Sequence, residues 1–216
     1  MAGEERNLPL FPLNMVLFPN ASLPLQIFEE RYKQMLEDCL QADSRFGVIL
    51  IKAGAEVGEP AIPYSIGTMA HIIQVHEARG GRRFISAMGE RRFRIKEITQ
   101  YRPYISAQVE VIEDEGDEWL PHSEMDSIHR AVTQYVQLVI GLKGGWTNEP
   151  VLAEDPVTLS YYIAGLLEIR LPEKQTLREE SSTSRRLEAE LDLLRRELEP
   201  LKKRVSNELR KRFSRH

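Results

Sequence analysis

Along the first half of the chain, apolar residues come in short blocks cut by Pro, Asn and Gly. Met15 to Phe18 and Leu23 to Ile27 are two such blocks, which predicts two short strands joined by Pro19-Asn20-Ala21-Ser22. From Glu29 the period changes. Tyr32, Met35, Leu36, Cys39 and Leu40 recur at helical spacing, so an amphipathic helix follows. Cys39 lies on its apolar face and is expected to fill core space, because a reactive thiol needs an exposed, electropositive setting. Phe46 to Ile51 is apolar on both parities, the pattern of a strand covered on both faces. Gly67 to Glu77 and Arg82 to Met88 flank a turn at Ala78-Arg79-Gly80-Gly81 and read as a hairpin. Gly89 breaks that run. Arg91 to Ile98 and Tyr104 to Ile112 complete a compact, mostly-β unit of six or seven strands, read as a half-closed barrel.

The second half has helical periodicity throughout. The acidic run Glu113 to Glu118 lacks the alternating ligands of a calcium loop and reads as a solvated linker. Met125, Ile128, Val132, Tyr135, Val136 and Val139 mark one helical face, and Gly141 to Pro150 a loop. Asp155-Pro156 is a helix start, with Asp as the cap and Pro in the first turn. Leu159, Tyr162, Ile163, Leu166 and Leu167 are expected on its buried side. Leu171-Pro172 ends that helix and Glu173 begins another. After Ser181 to Ser184, the leucines at 187, 191, 194, 198 and 201, with Val205, form a heptad seam. Pro200 interrupts this seam at a cost of about 3 kcal/mol, so a kink or an end near Glu199 is expected, with an exposed, mobile basic tail beyond it. The fold class is therefore α+β: a β-rich subdomain over residues 1–116, then an all-helical bundle over 117–216 ending in a long helix.

Composition narrows the function. The chain has 216 residues, 42% hydrophobic and 29% charged, with a net charge of -4, so it has no polycation character. A single cysteine excludes an internal disulfide and fits a reducing compartment. The acidic start, Met1-Ala2-Gly3-Glu4-Glu5, is no signal peptide. No apolar run approaches the roughly 20 residues of a membrane helix. A soluble, cytoplasmic protein is expected.

The sequence carries no recognisable catalytic apparatus. Gly141 to Thr147 lacks the order of a phosphate loop, and no Gly-x-Ser-x-Gly elbow is present. His71 and His76 are an odd number apart and should face opposite sides of a regular strand. His122 and His129 would lie about 10 Å apart along a helix, too far for one ion. No enzyme, cofactor or metal site is expected, although a site assembled only by the fold stays open. One basic signal remains. Arg92, Arg94 and Lys96 alternate with Phe93 and Ile95, which would place three cations on one strand face, with Arg82 and Arg83 nearby. The net charge favours a solvated face over an RNA-binding one.

"LPLFPLNMVLFP", "LPLQIFEERY", "GVILI", "IGTMAHI" and "GERRFRI", in that order, resemble the N-terminal substrate-recognition domain of Lon proteases. "DPVTLSYYIAGLLEIRLPEKQTLREE" and the leucine seam resemble that family's helical subdomain and connecting helix. The resemblance runs from Leu8 to Val205. It implies a PUA-like β subdomain followed by a helical bundle. It implies architectural roles for Pro12, Val16, Leu17, Phe18 and Pro19, and for Ile27, Phe28, Glu29, Arg31 and Tyr32. The same holds for Gly67, Thr68, Ala70, Gly89, Arg92, Phe93 and Ile95. Phe28 and Tyr32 would anchor the helix on the sheet, and Gly67 and Gly89 would permit sharp turns or bulges.

The function implied is a non-catalytic polypeptide-binding module, an adaptor or regulator of proteolysis holding unfolded or exposed segments. A separate protease is an open partner, and the oligomeric state is open. Trp119 and Trp146 are the candidate exposed anchors, with tucked aromatic rings as the alternative. A full Lon protease adds ATPase and Ser-Lys peptidase modules after this region. The chain stops at His216 without either, and a stand-alone recognition domain is expected. The alternative is an RNA-associated protein using the PUA-like fold and Arg92, Arg94 and Lys96.

Overall fold

The computed structural model describes residues 4–54, 61–77, 81–115, 120–143, 145 and 150–213. The elements are β1 (Glu5–Leu13), β2 (Ser22–Ile27), α1 (Glu30–Gln41), β3 (Arg45–Ala53), β4 (Ile62–Pro63), β5 (Ile66–Glu77), β6 (Arg83–Gln100) and β7 (Ile105–Ile112). They are followed by α2 (His122–Leu142), α3 (Pro156–Leu166), α4 (Leu171–Glu179) and α5 (Thr183–Phe213). This is the expected α+β order. The chain forms two compact units, and the cut is not single. Met1–Asp114 groups with Ala164–Ser181, and Glu115–Ile163 with Ser182–His216, so the segment carrying α4 returns to the sheet.

In the first unit the strand order is β1-β7-β6-β5-β3-β4, with β2 on β6. β1 pairs antiparallel with β7 and parallel with β3, which closes the sheet into a barrel and leaves few open edges. Its core has two parts. One lies under α1, where Tyr32, Met35, Leu36 and Cys39 meet Phe11, Phe46, Val48 and Ile85. The other holds Leu8, Leu10, Ile49, Met69, Phe93 and Val109. Alternate residues of β3 enter opposite parts, as a doubly covered strand should. Burial pushes the Cys39 thiol up to about 12, helped by Asp38 and Asp43, which keeps it protonated and inert.

The first strand lies earlier than expected. Residues 14–18 are not a strand; β1 occupies the Pro-containing stretch before them. Segment 17–21 instead crosses β6. Thr68 Oγ1 donates to Leu17 O at 2.7 Å, and the Asn20 and Gly89 backbones exchange bonds with Gly89 O (2.8 Å) and Ala21 O (2.9 Å). A Cβ on Gly89 would sit 2.3 Å from Phe18 O. Gly67 answers a similar need, since its Cβ would lie 2.4 Å from Phe93 Cζ. Four single-residue bulges interrupt the ladders of β6. One falls beside Gly89, one is at Ile73 on β5, and two are at Lys96 and Thr99. Each inverts the alternation of the strand that carries it.

The second unit is helical. Ile128, Val132, Tyr135 and Val136 of α2 are buried, as are Leu159 and Ile163 of α3 and the α5 leucines at 187, 191, 194, 198 and 201. Tyr162 is exposed, against expectation. Asp155 caps α3: its Oδ2 accepts from Thr158 N at 2.8 Å and Thr158 Oγ1 at 2.6 Å. Those bonds hold its carboxyl below the usual carboxylate range. The expected helix end near Glu199 is overturned, because α5 runs through Pro200 to Phe213. Leu198 and Leu201, on either side of Pro200, both stay buried, and this packing offsets one lost hydrogen bond. A polar cluster is also buried in this unit. Arg186 Nε donates to Ser160 Oγ at 2.6 Å, and Ser160 donates to Glu190 Oε1 at 3.0 Å.

Candidate functional site

β2 is an edge strand that pairs with β6 alone among the described strands, and Pro24 in its middle has no N–H to offer a further strand. Leu23 and Ile27 turn inward with Ile85 and Ala87. The alternate residues therefore face out: Pro24 and Gln26 of β2, and Phe84, Ser86 and Met88 of β6. β5 lies on the other side of this part of β6, and the Ile73 bulge changes what it presents. His71 pairs with Met88 and His76 with Phe84, so both histidines sit on this one face, contrary to the parity expected of a regular strand. Ile73 itself is pushed out and is 60% exposed.

The result is an uncovered apolar patch. Phe28 is 54% exposed and Phe84 45%, with Met88 also open to solvent. A concavity of about 320 Å³ lies between Pro24, Gln26, His76, Phe84 and Ser86, and a smaller one of about 170 Å³ reaches Phe28. Clusters of exposed apolar side chains on a soluble surface mark interaction sites. Phe28 corrects an expectation, since it does not anchor α1. Ile27 takes the inward position at the end of β2, so its neighbour must point out. Tyr32 is the anchor, with its ring 4.1 Å from that of Phe11.

The basic stripe is also corrected. Arg92 is 1% exposed. Its Nη1 donates to Arg178 O (3.0 Å) and Glu180 O (2.8 Å), and its Nη2 to Asp114 Oδ1 (2.9 Å), so it ties the end of α4 to the barrel wall. Arg92 and Arg94 pair in regular register with Thr68 and Ile66 of β5 and so share a strand face, and it is the end of α4 that covers Arg92. Arg94 is exposed, and Lys96, the residue of another bulge, pairs with Glu110 Oε2 at 3.3 Å. With Arg92 covered and Lys96 paired, the three cations form no exposed stripe. Among neighbouring cations, Arg91 pairs with Glu4 and Arg83 with Glu37. Trp119 and Trp146 lie outside the described residues. The described residues contain no cluster of three or more metal-ligating side chains, and no helix long and apolar enough to cross a membrane.

The family model for the ATP-dependent protease La (LON) substrate-binding domain matches residues 7–196. The chain belongs to that family. Among curated relatives, Lon protease 2 of Myxococcus xanthus is 28% identical over 206 residues, covering 94% of this chain and 25% of its own length. Lon protease of Anaeromyxobacter dehalogenans is 26% identical, over 94% of this chain and 24% of its own. The chain thus spans about a quarter of the relatives it matches. A Lon N-terminal domain protein from Xanthomonas campestris superposes with a TM-score of 0.66 at 27% identity, covering 85% of this chain and 95% of that one. The N-terminal domain of Mycobacterium avium complex Lon protease has the same fold, with a TM-score of 0.62 at 17% identity over 88% and 98% of the two chains. The exposed apolar side chains over β2, β5 and β6 lie within this LON-family domain.

Proposed function

We propose that this domain recognises polypeptide substrates through exposed apolar segments, without catalysing a reaction itself, and presents them for proteolysis in the cytoplasm. The observation that carries the reading is the uncovered group of Phe28, Ile73, Phe84 and Met88 on a rigid sheet. Folded proteins hide such side chains and unfolded ones expose them, so an apolar face of this kind discriminates by folding state rather than by sequence. Pro24 on the free edge disfavours capture by added strand pairing, which leaves side-chain contact as the source of affinity. The names of the relatives support a link to a Lon-type peptidase.

The test is titration of the protein with a fluorescently labelled, reduced and alkylated polypeptide, and with the same polypeptide in its native fold. Binding is expected for the unfolded form alone. A Phe84→Asp, Met88→Asp double variant should weaken it at least about tenfold, the loss of 1.4 kcal/mol. A short structured RNA serves as the opposing probe. RNA binding that exceeds polypeptide binding and is abolished by Arg94→Glu would overturn the reading. The burial of Arg92 and the pairing of Lys96 weigh against that outcome.

A further inference from the structure

A second groove of the barrel unit lies away from this face. Its walls are Ile62 and Tyr64, at and just after β4, and Ile95, Ile98 and Tyr101, at the end of β6, and it encloses about 430 Å³. Ile62 and Tyr101 are each 62% exposed, while Ile95 and Ile98 pack below against the barrel core. Ile95 and Ile98 are an odd number apart and would diverge on a regular strand. The Lys96 bulge aligns them, since Ile95 pairs with Val109 and Ile98 with Ala107. Among the described residues that line the groove, Lys52 is the one that is charged. Among the described residues Lys52 has no ion-pair partner, whereas Arg45, Arg83, Arg91 and Lys96 of the same unit are paired.

We infer that this groove takes the free C-terminal end of a polypeptide, with the apolar last side chains on the isoleucine and tyrosine walls and the α-carboxylate on Lys52. The inference rests on the reading of the domain as a polypeptide-recognition module, and it specifies a class of substrate. Apolar walls with one uncompensated cation complement a ligand that has an apolar body and a single negative charge. The reading of the domain as a polypeptide-recognition module makes a peptide end, rather than a simple fatty acid, the apolar carboxylate expected here.

The experiment compares two labelled octapeptides of one sequence, both ending in Phe-Leu-Leu, one with a free C-terminal carboxylate and one amidated. Anisotropy titrations at moderate salt should show the free acid binding at least about tenfold more tightly. Lys52→Met should bring the free acid to the level of the amide, with the thermal midpoint unchanged because Lys52 is on the surface. Lys52→Arg should keep part of the preference, and Ile62→Asp should weaken both peptides. Equal affinity for acid and amide, or an unchanged preference in Lys52→Met, overturns the inference. So does displacement of the peptide by dodecanoate at a lower concentration than the peptide's own Kd, which would make the site one for lipid carboxylates. The Phe84→Asp, Met88→Asp variant separates the two proposals. If it loses unfolded polypeptide but keeps the acid preference, both stand. If unfolded polypeptide never binds while the free-acid peptide does, only the broader reading falls.

Discussion

Arg92→Ala separates an architectural arginine from a nucleic-acid contact. In the folded protein the guanidinium is almost fully buried and donates to two backbone carbonyls at the end of α4, Arg178 O and Glu180 O, and to the Asp114 carboxylate. Truncation removes the donors and leaves those acceptors behind. A hydrogen bond from a charged group contributes about 1.5–3 kcal/mol, and the acceptors left inside pay their own desolvation. Removing one partner of a buried ion pair costs about 3–5 kcal/mol, and the partly exposed Asp114 places this site toward the lower end, so a loss of about 3–4 kcal/mol is expected. For a chain of this length each kcal/mol shifts the midpoint by about 2–4 °C, so calorimetry should show a fall on the order of 6–16 °C. Amide exchange should accelerate in β6 and α4 first. Arg92→Lys keeps the charge without the two-pronged donor and should recover only part of the loss. A midpoint within 2 °C of the parent, as an order-of-magnitude threshold, together with a drop in RNA affinity, would refute the reasoning.

Phe28→Ala should cost under about 1 kcal/mol of stability, because the ring is more than half exposed, yet it should weaken unfolded-polypeptide binding; a large fall in melting temperature would place the ring in the core. Gly89→Ala should destabilise by about 1–3 kcal/mol, since the new Cβ would meet Phe18 O at 2.3 Å and the obstacle is backbone; unchanged denaturant unfolding would disprove the close crossing. Burial holds the Glu190 carboxyl well above the ordinary carboxylate range, against the opposing pull of Arg186 and Ser160. A raised folded value means that this group's contribution is fully present below the unfolded value of about 4.3 and is lost as pH rises through the folded one. Glu190→Gln should therefore gain stability relative to the parent as pH rises above about 4.3, and parallel stability curves for the two proteins would contradict this.

Local periodicity was enough to read α1. Tyr32, Met35, Leu36 and Cys39 of its stripe are buried as the spacing predicts, because helical spacing is set within the segment itself, while Leu40 at its end is exposed. The Asp155 cap and the α5 leucine seam were legible for the same reason, as was the order of strands before helices; Gly67 and Gly89 were expected from the family resemblance to permit turns or bulges, and the close approach at both is a tertiary feature. Strand faces were not legible. Strand alternation has period two, so one inserted residue reverses every side chain beyond it, and only the partner strand decides whether an insertion occurs. The bulges at Ile73 and Lys96 therefore gathered His71 and His76 on one side and aligned Ile95 with Ile98, while the end of α4 buried Arg92. Phe28 lay one residue beyond a strand whose phase the barrel sets, and its exposure followed from Ile27 turning inward. Pro200 was read from its local cost alone, whereas the burial of Leu198 and Leu201 is a tertiary gain that keeps the helix intact. The elements were local properties of the chain, and the binding surfaces came from register, which exists only between strands.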